Sequence, residues 1–303
     1  MSALSSSGLP LDDPLFRMSR KLTVFLSIVI LMPPQAAFAW GAEGHHVVAI
    51  IAGNRLTREA KQQIAQLLGP EETLVTISTW PDEIRKDHPE TAGWHYVSVP
   101  KPAPFFDEAR DCFQPGPGHE SSQSDHRNCV VDRIDSFIRV LRDRDQPQAV
   151  RAEALKYIVH FIGDIHQPMH AMEEGHGAND IKIVQFGNST CGAQQRPCNL
   201  HGLWDSGLID HTQMDEETYA HFLEIQIAKE HLDGSPQGTP ADWANESHRL
   251  AEGALLLNGG LTDELYFEHE IGVVTLRLAQ AGIRLAEVLN HSFTSGSNGV
   301  GLH

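Results

Sequence analysis

The sequence predicts a mainly α-helical protein folded as a single domain over residues 40 to 291. Three observations predict it. Apolar residues recur at three- and four-residue spacing through most of the chain. The alternation a strand needs is confined to residues 181–186. Neither an internal repeat nor a Gly/Ser/Pro-rich linker divides the chain, and 303 residues with 41% hydrophobic content suffice for one large core.

The N-terminus is set aside first. A short basic start at residues 18–21 precedes an apolar run at 22–32, and Ala37-Phe38-Ala39 is a small-x-small cleavage site. This is the pattern of a secretory signal peptide over residues 1–39, with Met18 fitting as its start. The run is too short to span a bilayer as a mature helix. Cleavage would leave Trp40 as the first residue of the mature chain.

From Gly44 to Leu56, Val47, Val48, Ile50 and Ile51 suit a helix. Thr57 can cap a second helix running through Leu68, closed by Gly69-Pro70. Residues 77–85 are a third helical piece. Residues 88–127, rich in Pro, Gly, Ser and Asp, are expected as a long loop. Val130, Ile134, Phe137, Ile138 and Leu141 place a helix over 129–144. Another runs over 149–166 and is stopped by Pro168. Residues 171–200 are irregular apart from the strand-like stretch, and a short helix follows at 203–209. Longer helices are expected over 215–231, 239–257 and 261–289, the last amphipathic with charges between its apolar positions. Residues 292–303 are a Ser/Gly-rich flexible tail.

Export makes sense of the cysteines. Cys112, Cys129, Cys191 and Cys198 are an even set suited to disulfides in an oxidising compartment. Local pairing, 112 with 129 and 191 with 198, is the simplest of the three connectivities. No C-x-x-C or Cys-rich zinc pattern is present. The formal net charge of −17 becomes −18 without residues 1–39, which hold three basic and two acidic residues. That excludes a non-specific nucleic-acid binder working through a basic face. It does not exclude an enzyme that meets phosphate with metal ions.

The chain carries 18 histidines, and they are not scattered evenly. His160, Asp164, His166 and His170 fall within eleven residues of an otherwise apolar, helical stretch. Imidazoles and a carboxylate buried there are costly without partners, and metal is the simplest partner. His160 and Asp164 are four apart and share one helix face. His201 and Asp205 repeat that spacing. His45 lies five residues after Trp40, Asp82 lies in Trp80-Pro81-Asp82, and His95 follows Trp94. That is more ligand than one ion can use, since a catalytic zinc takes about three protein groups plus water. His166 lies off the 160/164 face and is expected to orient a neighbour.

Together these residues resemble the S1/P1 family of zinc-dependent nucleases, over essentially the whole mature chain. The pattern is Trp40-x4-His45, Asp82-x2-Arg85, His95, His160-x3-Asp164-x5-His170, Gly177-x-Asn179 and His201-x3-Asp205. The resemblance implies a helical fold of the phospholipase C/P1 nuclease type, with long loops and a cleft holding three zinc ions. Asp82, His95 and His160 would hold one zinc. The amino nitrogen and carbonyl oxygen of Trp40, with His45, would hold a close second, and Asp164 would bridge the pair. His170, His201 and Asp205 would hold the third. Asp82 would orient the nucleophile, and Arg85 would either pair with a phosphoryl oxygen or fix Asp82. Tyr96 would stack on a nucleobase. Asn179 is either a substrate contact or a loop hydrogen bond. Ser98 stands where fungal members of the family carry an acid, so base preference does not carry over.

The implied function is that of an exported hydrolase, periplasmic or secreted. It would be a monomer without stable membrane insertion that cleaves single-stranded DNA and RNA to 5′-phosphates, with 3′-nucleotidase activity. Two other classes compete. A related trinuclear zinc phospholipase C shares the His-x3-Asp-x5-His core. There the first histidine lies further from the N-terminal tryptophan and the last ligand is glutamate, so Trp40-x4-His45 and Asp205 favour the nuclease. A secreted zinc-binding protein without turnover is the other, and the Asp82/Arg85 pair argues against it.

Overall fold

The computed structural model describes residues 40–112, 128–234, 238–256 and 259–294. They belong to one compact unit. The expected signal segment, 1–39, lies outside the described residues.

The long helices are α1 (Ala42–Arg55), α2 (Arg58–Leu68), α3 (Val130–Arg142), α4 (Gln148–His166), α5 (Glu216–Glu230), α6 (Pro240–Ala254) and α7 (Glu264–Phe293). Their ends follow local chemistry. Thr57 accepts from the Ala60 amide at 3.1 Å to start α2, and Gly69 closes it at φ +80°, a conformation that favours glycine. Thr239 and Asp242 form a reciprocal capping box at α6 with Pro240 in its first turn. Asp263 accepts from the Tyr266 amide at 3.2 Å to start α7.

Helix α4 is the middle of the molecule. It packs against α3, α6 and α7, while α1 lies between α5 and α7. From Tyr157 to His166 every residue of α4 is buried. This explains why the segment carries no polar stripe. Helices α1 and α7 approach closely at Gly282. A Cβ there would meet Ile51 Cγ2 at 2.4 Å, so any larger residue would force the two helices apart.

Several boundaries differ from the expectation. The piece expected at 77–85 splits into Leu74–Ile77 and Trp80–Ile84, because Thr73 and Thr76 cap each other one turn earlier. The loop at 88–127 contains a 3₁₀ turn, Pro89–His95, and a short helix, Glu108–Asp111; residues 113–127 lie outside the description. The strand-like stretch is real but short, Ile183–Gln185, and pairs in parallel with Gly260–Thr262. That partner occupies the expected start of the last helix, which begins at Glu264 and continues to Phe293. Ser292 and Phe293 are therefore buried in α7 rather than part of a tail. Residues 295–303 lie outside the described residues.

The disulfides are Cys112–Cys129 and Cys191–Cys198, the local pairing. The first closes the loop that leads from the 3₁₀ turn into α3. Disulfides are consistent with export. Among the described residues no helix is long and apolar enough to cross a membrane.

Candidate metal centre

The site assembles on the last two turns of α4 and the turn that follows. Gln167 leaves the helix with extended backbone, and Pro168 opens a single 3₁₀ turn, Pro168–Ala171, that carries His170. His160 and Asp164 thus project from one helix face, and His170 folds back beside them. Four other segments complete the set. Helix α1 brings His45, the short Trp80–Ile84 helix brings Asp82, and the 3₁₀ turn ends on His95. His201 and Asp205 come from Leu200–Gly202 and the wider π-type turn Leu203–Gly207 that continues it.

Among the described residues three groups of side chains converge closely enough to hold a metal ion: His45 with His160 and Asp164, Asp82 with His95 and His160, and His170 with His201 and Asp205. Every member is buried. Asp164 is the hub. Its Oδ1 lies 3.3 Å from His45 Nε2, and its Oδ2 lies 3.0 Å from His95 Nδ1 and 3.3 Å from His160 Nε2. Asp82 stands at 3.7 Å from both His95 Nδ1 and His160 Nε2.

The backbone selects which ring nitrogen faces inward. His160 Nδ1 donates to the Ser78 carbonyl at 2.6 Å, His170 Nδ1 to the His95 carbonyl at 2.7 Å, and His201 Nδ1 to the Gly177 carbonyl at 2.5 Å. Each of these rings then turns its Nε2 toward a carboxylate, the orientation a metal-binding histidine requires. Both ring nitrogens of His45, Nε2 of His95 and of His170, and one oxygen each of Asp82 and Asp164 are buried without hydrogen-bond partners. Leaving so many buried polar atoms unsatisfied in one place would be costly, whereas a cation satisfies them together. The donor set of neutral imidazole and carboxylate suits a divalent metal of the zinc type.

The electrostatics agree. Burial, reinforced by neighbouring imidazoles, pushes His45 down to about 4 and His201 to about 3, and burial brings His170 to about 4. These rings are therefore neutral, the form that binds metal. Burial would also lower His160, but Asp164 and Asp82 raise it to about 9. Asp164 is held well below the usual carboxylate range: burial opposes this, and His160, His45 and His95 overcome it. The His160 cation, with hydrogen bonds from His45 and His95, thus stabilises the Asp164 charge, a role metal ions can take over. Asp205, pushed well above the range by burial, lacks such a partner.

The other expected residues fall as follows. Arg85 lies 3.6 Å from Asp82 Oδ1, so its ion pair is with Asp82. Tyr96, the neighbour of His95, is one of the more exposed large side chains. Asn179 donates from its side-chain amide to the His176 carbonyl at 2.9 Å, the loop hydrogen bond. The Gly177-x-Asn179 stretch reaches the centre through the Gly177 carbonyl, with Gly177 at φ +63°. Trp40 is fully buried, and the Gly41 amide donates to the Asp205 carbonyl at 2.7 Å. That bond brings the expected mature N-terminus to the turn carrying the third group.

Sequence reasoning missed what lies behind α4. Arg277 and Arg284, expected among the exposed charges of α7, are both buried. Arg277 Nε donates to the His166 carbonyl at 3.1 Å, and Arg284 donates to His166 Nε2 at 2.8 Å. Both arginines pair with Glu246 at 2.6 Å. The α4 C-terminal carbonyls, unsatisfied within the helix, are thereby capped from α6 and α7, with Ser247 donating to the Ile165 carbonyl. His166 is thus held between the Ile162 carbonyl and Arg284 and belongs to none of the three metal groups. The signal available was spacing: positions 277 and 284 are seven apart on the face that carries Leu278, Ala281 and Leu285.

Gly163 has its own role. A Cβ on Gly163 would lie 2.7 Å from His45 Nδ1 and 3.8 Å from Trp40 Cδ1. Elsewhere in a helix Gly→Ala gains up to about 1 kcal/mol. Here Gly163→Ala is expected to displace His45 and cost about 1–3 kcal/mol through overpacking. A thermal melt together with zinc analysis checks this: lower melting temperature and lost metal are expected, while a higher melting temperature with full metal would contradict it.

A cavity of about 520 Å³ between α5 and α7, lined by Tyr219, Phe222, Phe267 and Ile271, shares no residue with the metal groups.

Comparison with known proteins points to one family. A family model described as S1/P1 Nuclease matches residues 40–294. Endonuclease 4 of Arabidopsis thaliana is 29% identical over 308 residues, covering 92% of this chain and 98% of that protein. Nuclease P1 of Penicillium citrinum is 27% identical over 281 residues, covering 83% and 97%. Nuclease S1 of Aspergillus oryzae is 26% identical over 296 residues, covering 88% and 96%.

Proposed function

The chain belongs to the S1/P1 nuclease family, and from that membership we propose that it is an exported zinc-dependent hydrolase cleaving single-stranded DNA and RNA to 5′-phosphate products, with 3′-nucleotidase activity alongside. The observation that carries this reading is the set of three buried His/Asp groups, built around inward-facing imidazole nitrogens whose other nitrogen is fixed by a backbone carbonyl. We assign one zinc ion to each group, with the N-terminal nitrogen and carbonyl oxygen of Trp40 joining His45 and Asp164. When bound, such ions supply Lewis acidity, positive charge opposite a phosphodiester, and a lowered pKa for water.

The chain's own residues do the rest. Asp82 lies at the edge of the shared site, and we assign it to orient the attacking water. Arg85 is paired with Asp82 at 3.6 Å and keeps that carboxylate aimed inward. Tyr96, exposed beside His95, offers a face on which a base can stack. Asn179, in the loop that also presents the Gly177 carbonyl to His201, is the second side chain assigned to substrate, a role taken in addition to its hydrogen bond to the His176 carbonyl. Positive charge gathered at the centre explains how a protein of net charge −17 can accept a polyanion. We infer that the mature protein acts as a monomer, begins at Trp40 and works in the periplasm or outside the cell.

The test is to incubate zinc-loaded mature protein with single-stranded DNA, RNA, a 3′-mononucleotide and phosphatidylcholine vesicles. Cleavage of the polynucleotides with 5′-phosphate ends, and release of phosphate from the mononucleotide, is expected. Turnover of lipid alone would replace the nuclease reading with a phospholipase. No turnover of any substrate would leave a metal-binding protein.

A further inference from the structure

We infer that Gln167 is the positioning residue of the third metal group: its side-chain amide fixes which oxygen of Asp205 is presented to the ion and ties that carboxylate to the turn carrying His170. The inference rests on the assignment of His170, His201 and Asp205 as a metal site.

Gln167 is fully buried at the junction between α4 and the Pro168–Ala171 turn. Its Nε2 donates to Asp205 Oδ1 at 2.6 Å. Its Oε1 accepts from the Met169 amide at 2.6 Å. The second bond settles the orientation of the side chain. The backbone N–H can only donate, so the oxygen must face Met169 and the NH₂ must face Asp205.

Two consequences follow from the geometry. With Oδ1 held by Gln167, the free oxygen of Asp205 is Oδ2, which lies 3.2 Å from His201 Nε2. Oδ1 is instead 3.9 Å from His170 Nε2. Gln167 therefore favours one-oxygen binding through Oδ2. A carboxylate held this way keeps its direction even though it is the last member of its group to be reached along the chain.

The same residue also joins the groups mechanically. Its backbone N–H donates to the Asp164 carbonyl at 2.9 Å, and its carbonyl accepts from the His170 amide at 3.0 Å. Asp164, His170 and Asp205 thus all bond to Gln167, so the spacing between the hub and the third group depends on it. A polar residue capping only a turn would need the Met169 bond alone. A buried amide aimed at a carboxylate 38 positions away has a further task.

The variants separate the two bonds. Gln167→Glu keeps an acceptor for the Met169 amide but removes the donor to Asp205 and sets a second carboxylate against it. Gln167→Met removes both bonds at similar volume. Asp205→Ala serves as the reference for losing the third ion. Each mature protein is loaded with zinc, and zinc is withdrawn stepwise by a competing chelator while circular dichroism follows the fold.

In both Gln167 variants one zinc of the three is expected to bind about 10–100-fold more weakly, the other two being held as in the unaltered protein with the helical signal unchanged. Unaltered binding of all three zincs in both variants, with one lost in Asp205→Ala, would overturn the role of Gln167 and leave the metal site standing. Retention of all three in Asp205→Ala would overturn the site itself. Equal weakening of every zinc would show a general packing role and overturn the inference as well.

Discussion

Asp164→Ala is expected to abolish nuclease activity and to release the zinc held by both His45 and His95. No other side chain stands within 3.3 Å of three imidazoles among the ion-pair contacts of the described residues. Removing a single histidine, such as His45, takes one donor from one group. Removing Asp164 takes the shared carboxylate from two groups and leaves His45, His95 and His160 facing one another without the charge that balanced them. Loss of one partner from a buried charge set costs about 3–5 kcal/mol. Activity is expected to fall by about 10⁴-fold or more, as for a residue acting within a catalytic unit. Asp164→Asn separates charge from volume. It fills the same space, so a comparable loss in both variants assigns the effect to the carboxylate. Zinc analysis by mass spectrometry alongside a single-stranded DNA cleavage assay reads both quantities. Asp164→Ala with its zinc and its turnover intact would remove the hub from the account.

The second large effect concerns the start of the mature chain. A protein in which any residue precedes Trp40 is expected to lose the neighbouring zinc and about 10²-fold or more of its activity. The reason is chemical. A free α-amino group has a pKa near 8 and offers a lone pair to a metal around neutral pH, whereas the same nitrogen in a peptide bond does not. The surroundings support the assignment. Trp40 is fully buried, and its Cβ lies 2.7 Å from where a Cβ on Gly44 would stand. Gly41 is anchored to the Asp205 carbonyl. An added glycine is the smallest possible extension, so its effect reports the nitrogen rather than bulk. Comparing Gly-Trp40 protein with the mature form in zinc content and cleavage rate checks this, and equal values would exclude Trp40 as a ligand.

Much of this centre was legible in the sequence because its residues sit on short-range patterns. His160 and Asp164 share a helix face in an otherwise apolar stretch, and His201 and Asp205 repeat the spacing. Helix α4 was located within one residue at its start and correctly at its end, since Pro168 is an unambiguous stop. The parallel pairing of Ile183–Gln185 with Gly260–Thr262 was not legible, because nothing local in a three-residue strand names a partner so distant in sequence. Gln167 and Arg277 were missed for the same reason. Gln167 reads as a polar residue at a helix end, and its meaning comes from Asp205. Arg277 and Arg284 read as solvent charges until Glu246 and the α4 carbonyls come to meet them. Spacing reveals which residues share a face, and only folding reveals what that face meets.

The central claim is that one buried cluster holds three zinc ions on the groups meeting at Asp164 and Asp205. Anomalous diffraction at the zinc edge from crystals of the mature protein tests it most directly. The account predicts three peaks: one beside His45 and Trp40, one among Asp82, His95 and His160, and one among His170, His201 and Asp205. A single peak, or none within reach of Asp164, would contradict it.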